Sequence, residues 1–126
     1  MNDRYKFRVW DKLDEEYYDE NCFQMQIESS GDLFIIGVGN DGEDCFWETD
    51  NTVIEQCTGL KDKNGKLIYE GDIILVEDNK CPIEWESENA RYNVIGYGEL
   101  AYLNYNDIEV IGNIHENADL LGKNND

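Results

Sequence analysis

Two adjacent residues near the middle of the chain, Asn64-Gly65, constrain the fold more than any other pair. An Asn-Gly pair between two strand-like arms is typical of a type I′ turn, in which both central residues have a positive φ and the chain forms a β-hairpin. Leu60 precedes the pair, and Leu67 and Ile68 follow it. We therefore predict a central hairpin with a type I′ turn at Asn64-Gly65, whose arms are anchored by these three apolar side chains.

The hairpin is followed by a second reversal at Gly71-Asp72 and then by an apolar run, residues 73–76, which predicts a core strand. Similar short runs recur along the chain, and Gly, Asn or Asp residues separate them. This pattern predicts an all-β fold, either a sandwich of short strands or a partly open barrel. A short helical turn is expected at residues 117–121, with Asn117 as its N-cap. The other predicted strands are residues 4–10, 17–18, 23–27, 33–36, 52–57, 81–85, 91–97 and 108–114.

Pro82 lies inside one of these predicted strands. Because proline has no N–H to donate to a sheet ladder, it is normally confined to edge strands. We therefore predict that residues 81–85 form an edge of the sheet. An exposed edge can pair with a second copy of the chain, so a structural or assembly module is one functional alternative.

Acidic residues dominate the chain and are unevenly distributed. The formal net charge is −19, with 29 Asp and Glu residues against 10 Lys and Arg residues. Residues 13–57 contain thirteen acids and no Lys or Arg. Such a field repels nucleic-acid phosphates and anionic membranes, and it favours basic partners. We expect a protein with a basic surface as the partner, without direct binding of nucleic acid or membranes; solubility alone is the other explanation of the charge.

Within this acidic segment several acids stand beside aromatic residues, as at residues 16–20 and 45–48. Carboxylates on a stiff β surface can present negative charge at spacings comparable to those of DNA phosphates, and aromatic side chains can anchor an interface. We therefore predict partner binding through this segment, in its sharpest form as a DNA mimic that inhibits a nucleic-acid-handling or defence enzyme. The candidate partner-binding residues are Asp14, Glu15, Glu16, Asp19, Glu20, Asp41, Glu43, Asp44 and Glu48.

His115 is the single histidine of the chain, and no catalytic motif surrounds it. Hydrolysis requires a nucleophile and an oriented base, so a small hydrolytic or ligand-binding barrel that uses His115 and carboxylates is the alternative function. Cys57 enters an apolar strand, which favours an inert buried thiol over a nucleophile. We therefore predict a non-enzymatic protein without catalytic residues.

Metal and cofactor sites have no support in the sequence. The four cysteines form no CxxC pair and only one histidine is present, which argues against structural zinc. Segments 40–44 and 62–65 are rich in Asp and Asn but lack the spacing and final Glu of a calcium loop. No signal peptide is recognised, and no apolar run approaches the ~20 residues that span a membrane. We expect a cytoplasmic protein with reduced, buried thiols and no cofactor.

The length of the chain, 126 residues, predicts a single domain. If the domain is subdivided, we expect the boundary near residue 50, where the acidic segment gives way to the central hairpin. The division would then be an N-terminal acidic lobe, residues 1–50, and a core, residues 51–121.

Three segments together resemble the YopX family of small phage and prophage proteins. They are residues 5–11 (YKFRVWD), 58–73 (TGLKDKNGKLIYEGDI) and 109–117 (EVIGNIHEN), and they span essentially the whole chain in the family's order. Family members often have a proline after the closing Glu-Asn, where this chain has Ala118. The resemblance implies a mainly β fold, a phage or prophage origin and residence in the bacterial cytoplasm. It implies no catalytic residues.

Overall fold

The computed structural model describes residues 6–18, 23–27, 29–30, 33–38, 44–47 and 52–121, and in the strands between residues 23 and 47 it describes the backbone alone. The chain divides into two compact units. The N-terminal unit is Arg8–Ile54, and the C-terminal unit consists of Met1–Phe7 and Glu55–Asp126.

Strands make up nearly all of the regular structure, and the prediction of an all-β fold is confirmed. Helical structure in the described residues is limited to 3₁₀ turns at Leu100–Tyr102, Tyr105–Asp107 and Ala118–Leu121, the last of which is the predicted C-terminal turn. The strands are β1 (Phe7–Asp11), β2 (Glu16–Tyr17), β3 (Phe23–Ile27), β4 (Leu33–Val38), β5 (Asp44–Trp47), β6 (Thr52–Lys61), β7 (Leu67–Tyr69), β8 (Asp72–Val76), β9 (Asn79–Glu86), β10 (Arg91–Val94), β11 (Gly98–Glu99) and β12 (Ile108–Asn113).

The N-terminal unit contains two antiparallel arrangements. β1 and β2 form a hairpin in which Trp10 lies opposite Tyr17. β3, β4 and β5 form a three-stranded meander with β4 in the centre. Residues Met25, Ile35 and Trp47 stand in one row across this meander. The short, turn-separated apolar runs of the sequence therefore become antiparallel neighbours, as expected for hairpin-connected strands.

The C-terminal unit is built on a five-stranded antiparallel sheet with the order β11-β10-β9-β8-β12. The end of β6 pairs with β7, so that Cys57 lies opposite Tyr69. The predicted core strand is confirmed as β8, in which Ile73 and Ile74 are fully buried. Ile74 belongs to a cluster of buried, mostly aliphatic side chains. Because burying an aliphatic side chain contributes about 1.5–3 kcal/mol, this cluster is the main stabilising element of the unit. Its buried members are Ile68, Ile74, Val76, Cys81, Ile83, Val94, Leu100 and Ile108.

The central hairpin is present, but the type I′ turn predicted at Asn64-Gly65 is wrong. Within the loop only Gly65 has a positive φ, of 80°. The N–H of Gly65 donates to the carbonyl of Asp62 (3.0 Å), and the N–H of Asp62 donates to the carbonyl of Lys66 (2.9 Å). This is a three-residue loop, a type I turn followed by a left-handed glycine. The Asp62 side chain favours it, because Oδ1 accepts the N–H groups of Asn64 and Lys66.

Two of the three apolar residues predicted to anchor the hairpin arms do so. Ile68 is fully buried and Leu67 is half-buried, but Leu60 is 40% exposed. β6 carries a bulge between residues 57 and 61, where Gly59 has a φ of 86°. A bulge redirects the side chains around it, and Leu60 therefore lies at the surface.

The turn between β8 and β9 has the feature that was predicted for Asn64-Gly65, a positive φ at both of its central residues. Glu77 has a φ of 50° and Asp78 a φ of 70°, and they connect the paired residues Val76 and Asn79. The register that buries the apolar side chains of β8 and β9 leaves only these two residues for the turn. Packing has therefore imposed a left-handed turn on two residues that do not favour it.

The edge position predicted for the strand that contains Pro82 is wrong. β9 lies in the middle of the five-stranded sheet, between β8 and β10. The ladder between β9 and β10 ends at the pair Ile83–Val94, and the carbonyl of Pro82 just beyond it accepts the N–H of Ile95 (3.3 Å). Because the N and C=O of one residue point the same way in an antiparallel sheet, the missing N–H falls beyond the ladder. The assembly alternative thereby loses the edge on which it rested.

Candidate functional site

The turn between β1 and β2 carries three of the predicted partner-binding residues. Asp14, Glu15 and Glu16 are all exposed. Oδ1 of Asp11 accepts the N–H groups of Leu13 (2.9 Å) and Asp14 (3.2 Å) and so fixes the backbone of the turn. Glu15 has a φ of 54°. The N-terminal unit therefore projects three adjacent carboxylates into solvent from a hydrogen-bonded turn.

Aromatic side chains support this acidic turn. The rings of Trp10 and Tyr17 meet edge to face with their centroids 5.0 Å apart, and the Arg8 guanidinium lies 4.7 Å from the centre of the Tyr17 ring. Burial raises the pKa of Tyr18, and the negative charges of Asp11 and Asp14 raise it further. The local field of the turn is thus negative enough to disfavour another anion beside it.

The other predicted partner-binding residues are placed less fully. Asp44 is the first residue of β5, where the backbone alone is described. Asp19, Glu20, Asp41, Glu43 and Glu48 lie outside the described residues. Of the predicted partner-binding residues whose side chains are described, Asp14, Glu15 and Glu16 lie together, and they do so because they are adjacent in the sequence.

Asp62 is the organising acid of the C-terminal unit, and it is 2% exposed. Its Oδ1 accepts the N–H groups of Asn64 and Lys66, and its Oδ2 accepts the N–H of Val110, each at 2.9 Å. Burial alone raises the pKa of this carboxyl, but the backbone donors, with Lys66 nearby, outweigh burial and hold the pKa of Asp62 below its usual range. One ionised side chain therefore fixes both the hairpin loop and β12.

Glu55 and His115 form a largely buried pair in the same unit. Nε2 of His115 lies 2.9 Å from Oε2 of Glu55, and their side chains are 16% and 3% exposed. Gly71, with a φ of 90°, packs so closely on the Glu55 carboxylate that a Cβ at this position would overlap it. Glu55 is thus the carboxylate partner of His115, and no local pattern could predict it because the two residues are 60 positions apart.

The loop that carries His115 is fixed by two asparagines. Oδ1 of Asn113 accepts the N–H groups of His115 (3.0 Å) and Glu116 (2.9 Å). Asn117 stands at the predicted N-cap position, directly before the turn Ala118–Leu121, and its carbonyl accepts the N–H of Leu120 (2.9 Å). Its side-chain Oδ1 accepts the N–H of Asn113 (3.1 Å) in the preceding loop. Gly112 has no space for a Cβ beside Asn117. His115 is therefore held in one position by its own loop.

The thiols of the C-terminal unit match the sequence expectation. Cys57 and Cys81 are buried, and burial raises the pKa of the Cys81 thiol. A buried thiol whose pKa is raised is a poor nucleophile. Among the residues that the structure describes, no group of three or more His, Cys, Asp or Glu side chains could hold a metal ion. The helical segments of this part of the chain include none long and apolar enough to cross a membrane.

Three depressions mark the surface of the C-terminal unit, with volumes of about 450, 500 and 580 Å³. Residues from the segment 99–108 line all three. Trp85, which borders the first, is 45% exposed, and Tyr105, which borders the second, is 60% exposed. The sequence did not single out these aromatic residues, because the same residue types also fill a β core.

Comparisons with known proteins identify relatives along the whole chain. Residues 6–122 match the family model described as YopX protein. The chain is 28% identical over 130 residues to the SPbeta prophage-derived protein YopX of Bacillus subtilis (strain 168), and the match covers 91% of this chain and 94% of that protein.

Solved structures show the same fold. The crystal structure of protein YopX from Bacillus subtilis matches with a TM-score of 0.69 at 24% identity, over 96% of this chain and 99% of that one. A crystal structure of a protein from Enterococcus faecalis matches with a TM-score of 0.65 at 29% identity, over 92% and 96% of the two chains.

Proposed function

The chain belongs to the YopX family, and we propose that it is a non-enzymatic phage accessory protein that binds a basic surface on a host or phage protein. The prophage origin of the Bacillus subtilis relative supports a phage or prophage origin for this chain. In this proposal the protein acts in the bacterial cytoplasm, needs no cofactor, and makes contact through the carboxylates of residues 14–48.

The observation that carries the proposal is the exposed acidic turn Asp14-Glu15-Glu16, which lies in a segment of thirteen acids without a single Lys or Arg. Two opposite charges about 4 Å apart gain about 1 kcal/mol in water and more where an interface excludes water. Adjacent carboxylates on a fixed turn present such charges together. A partner with clustered Lys or Arg residues would therefore be attracted over a distance and held at close range.

The narrower form of the proposal is DNA mimicry. Side chains on one face of an antiparallel strand repeat every ~6.8 Å, which is twice the ~3.4 Å of helix axis that each phosphate of one DNA strand occupies. A groove lined by Lys and Arg for duplex DNA can therefore accept a row of carboxylates. The target in this form is a nucleic-acid-handling or defence enzyme, and the effect is competition with its substrate.

A pull-down from host lysate with the immobilised full chain tests the proposal. We expect a discrete basic protein to be retained at about 0.1 M salt and released at about 1 M, because the screening length falls from about 10 Å to about 3 Å. Duplex DNA added at low salt should displace the same protein. The triple variant Asp14→Asn, Glu15→Gln, Glu16→Gln should retain it at least about tenfold less, a loss of about 1.4 kcal/mol.

The matched control removes the same number of charges from the C-terminal unit. Glu84, Glu88 and Asp119 are exposed there, and the variant Glu84→Gln, Glu88→Gln, Asp119→Asn should bind as the parent chain does. Equal losses in both variants would reduce the effect to net charge and overturn the assignment to the turn. If the basic protein is retained equally at low and high salt, and equally by the parent chain and the variant Asp14→Asn, Glu15→Gln, Glu16→Gln, the acidic interface is overturned. If added DNA does not displace it, the DNA mimicry is overturned.

The pair Glu55–His115 is the basis of a second candidate function, hydrolysis or ligand binding. Its surroundings favour a structural role instead, since Glu55 is 3% exposed and Gly71 packs against its carboxylate. In that role the pair joins the start of the C-terminal unit to its last loop. The variant His115→Gln is then expected to lose stability and to keep its retention of the basic protein.

A further inference from the structure

The segment 99–108, which we call the tyrosine segment, stands out on the surface of the C-terminal unit. Tyr102 is 86% exposed and Tyr105 is 60% exposed, whereas Leu100 and Ile108 near the two ends are 2% exposed. Large aromatic side chains in solvent, held between buried anchors, are a frequent feature of protein-binding surfaces. The segment thus displays two rings without contributing them to the core.

Hydrogen bonds hold the tyrosine segment in one conformation. The N–H of Leu103 donates to the carbonyl of Leu100 (3.0 Å), and the N–H of Asp107 donates to the carbonyl of Asn104 (2.9 Å). Oδ1 of Asn104 also accepts the N–H of Asn106 (3.0 Å). A loop that is already ordered loses little conformational entropy on binding, and Tyr with Asn is the composition that antibody paratopes use for the same reason.

Apolar depressions flank the exposed rings. The first and second depressions, of about 450 and 500 Å³, share Leu60, Leu100 and Ala101 in their linings, so they are neighbours on the surface, and we call the two together the groove. Leu60 and Trp85 in this groove are 40% and 45% exposed. The groove can receive apolar side chains from a partner while Tyr102 and Tyr105 contact the partner beside it.

The charges around the groove select the kind of partner. Arg91 is neutralised by Glu86 (2.7 Å), and Lys63 is paired with Glu109 (3.4 Å). The acids that line the three depressions are Glu77, Glu99 and Asp107, and no ion pair is found for them among the described residues. Besides Arg91 and Lys63, whose partners Glu86 and Glu109 lie outside the depressions, the lining contains one further cation, Lys61. The net field at the tyrosine segment is therefore negative, which complements Lys or Arg side chains.

We propose that the tyrosine segment is a second docking surface, whose occupant is a folded protein surface with an apolar side chain for the Leu60 groove and Lys or Arg residues opposite Glu99 and Asp107. This surface goes beyond the proposed function, because it uses the C-terminal unit and not the acidic segment. A small molecule and a second copy of this chain are different occupants, and the experiment below distinguishes each of them from the proposed protein partner.

Site-specific photocrosslinking of the full chain in host cells tests this surface. The photoreactive residue p-benzoylphenylalanine replaces Tyr102 or Tyr105 in turn, and it replaces Ile114 as a control, since Ile114 is 39% exposed and lines none of the three depressions. We expect one discrete adduct from positions 102 and 105 at a yield at least about tenfold above that from position 114, which is a difference of about 1.4 kcal/mol. Mass spectrometry of the adduct should identify a contact peptide with an excess of Lys and Arg.

Two further variants define the groove and separate this proposal from the acidic turn. Leu60→Asp should abolish the adduct from position 102, whereas Ile95→Asp, at an equally exposed residue outside the groove, should preserve it. Thermal unfolding of both variants checks that they fold. The adduct should also persist in the variant Asp14→Asn, Glu15→Gln, Glu16→Gln; its loss there would show that the tyrosine segment is not an independent surface.

The remaining outcomes overturn the proposal. Equal labelling from positions 102, 105 and 114 would mean an unspecific surface. A contact peptide from this same chain would mean self-association, and an acidic contact peptide would mean that the charge argument is wrong. The absence of any adduct larger than the chain would leave a small molecule as the occupant and exclude a protein.

Discussion

The carboxylates between residues 55 and 72 act as internal hydrogen-bond acceptors. Oδ2 of Asp72, a residue that is 2% exposed, accepts the N–H of Tyr69 (2.8 Å). Oε1 of Glu70 accepts the N–H of Gln56 (3.2 Å). Charged acceptors make strong hydrogen bonds, so these acids stabilise the fold and are not available to a partner. The negative charge that can act on a partner lies on the exposed acids.

Asp62→Ala is expected to lower the free energy of unfolding by about 2–4 kcal/mol, because three backbone N–H groups lose a charged, buried acceptor. The pKa of Asp62 lies below its ordinary value of 3.8. Its stabilising effect is therefore complete above the pKa of the unfolded chain and is lost as the pH falls through the lower folded pKa. Urea unfolding at neutral pH and below about pH 4 measures both effects.

Asp107→Ala serves as the control for Asp62, since Asp107 is exposed. It should change the free energy of unfolding by less than about 0.5 kcal/mol. If Asp62→Ala cost no more than this control, or if its acid unfolding matched that of the parent chain, the organising role of Asp62 would be refuted.

Substitutions in the turn Glu77-Asp78 are expected to stabilise the folded chain. Both residues have positive φ, which costs L-residues about 1–2 kcal/mol each, least for Asp and Asn and nothing for Gly. The double variant Glu77→Asn, Asp78→Gly should therefore raise the free energy of unfolding by about 1 kcal/mol. Urea unfolding measures it, and Glu84→Asn on an ordinary strand position is the control. A loss of stability in the double variant would contradict the observed turn geometry.

At the scale of elements, the hairpin loop between β6 and β7 protects the outer side of β12. The N–H of Lys63 donates to the carbonyl of Ile108 (3.0 Å), and Oδ2 of Asp62 accepts the N–H of Val110 (2.9 Å). β12 is the terminal strand of the five-stranded sheet. A covered edge cannot pair with another chain, so the loop has the effect of closing this side of the sheet.

Sequence patterns predicted strands well where burial alone decides them. The apolar run in β8 and the punctuation by Gly and Asn were sufficient for the all-β class and for the central hairpin. They were insufficient for the loop type at Asn64-Gly65, which depends on the Asp62 side chain accepting the N–H groups of Asn64 and Lys66. They were also insufficient for the position of Pro82, which depends on where the ladder between β9 and β10 ends.

The same limit applies to the candidate sites. Exposure of Asp14, Glu15 and Glu16 followed from a polar stretch between two strands. The pairing of Glu55 with His115 and the exposure of Trp85 did not follow from any local pattern, since each results from the packing of segments that are distant in the sequence.

Gly71 provides a test at the scale of elements, where the end of β7 passes to β8. Gly71→Ala should lower the free energy of unfolding by about 3 kcal/mol or more, because the φ of 90° disfavours a side chain and the new Cβ would overlap the Glu55 carboxylate. Gly65→Ala is the matched control: its φ of 80° is similar, and nothing lies within 4 Å of a new Cβ. We expect it to cost about 1 kcal/mol.

A double-mutant cycle separates the two causes at Gly71. With Glu55→Ala in the background, the overlap disappears and Gly71→Ala should cost about 1 kcal/mol, as at Gly65. Urea unfolding of the four chains measures the coupling. An undiminished cost in this background would place the strain elsewhere than at the carboxylate.

At the scale of the whole molecule, a net charge of −19 on 126 residues has two opposing consequences. Repulsion among the acids destabilises the folded chain, while the same field attracts a basic partner. Salt screens both interactions. Stability and partner binding should therefore respond to ionic strength in opposite directions, which neither an uncharged surface nor a surface of balanced ion pairs would produce.

Raising NaCl from about 0.1 M to about 1 M should increase the thermal stability of the chain, and each kcal/mol gained corresponds to about 4 °C in Tm for a protein of this size. The variant Asp14→Asn, Glu15→Gln, Glu16→Gln should start from a higher Tm and gain less from salt, since it carries three fewer negative charges. Sucrose is the control, because it stabilises by exclusion from the protein surface and should act on both chains alike. Calorimetry measures all of these values. A Tm that falls with salt would mean that ion pairs such as Arg91–Glu86 outweigh the repulsion, and the long-range field invoked for partner binding would then be too weak to act.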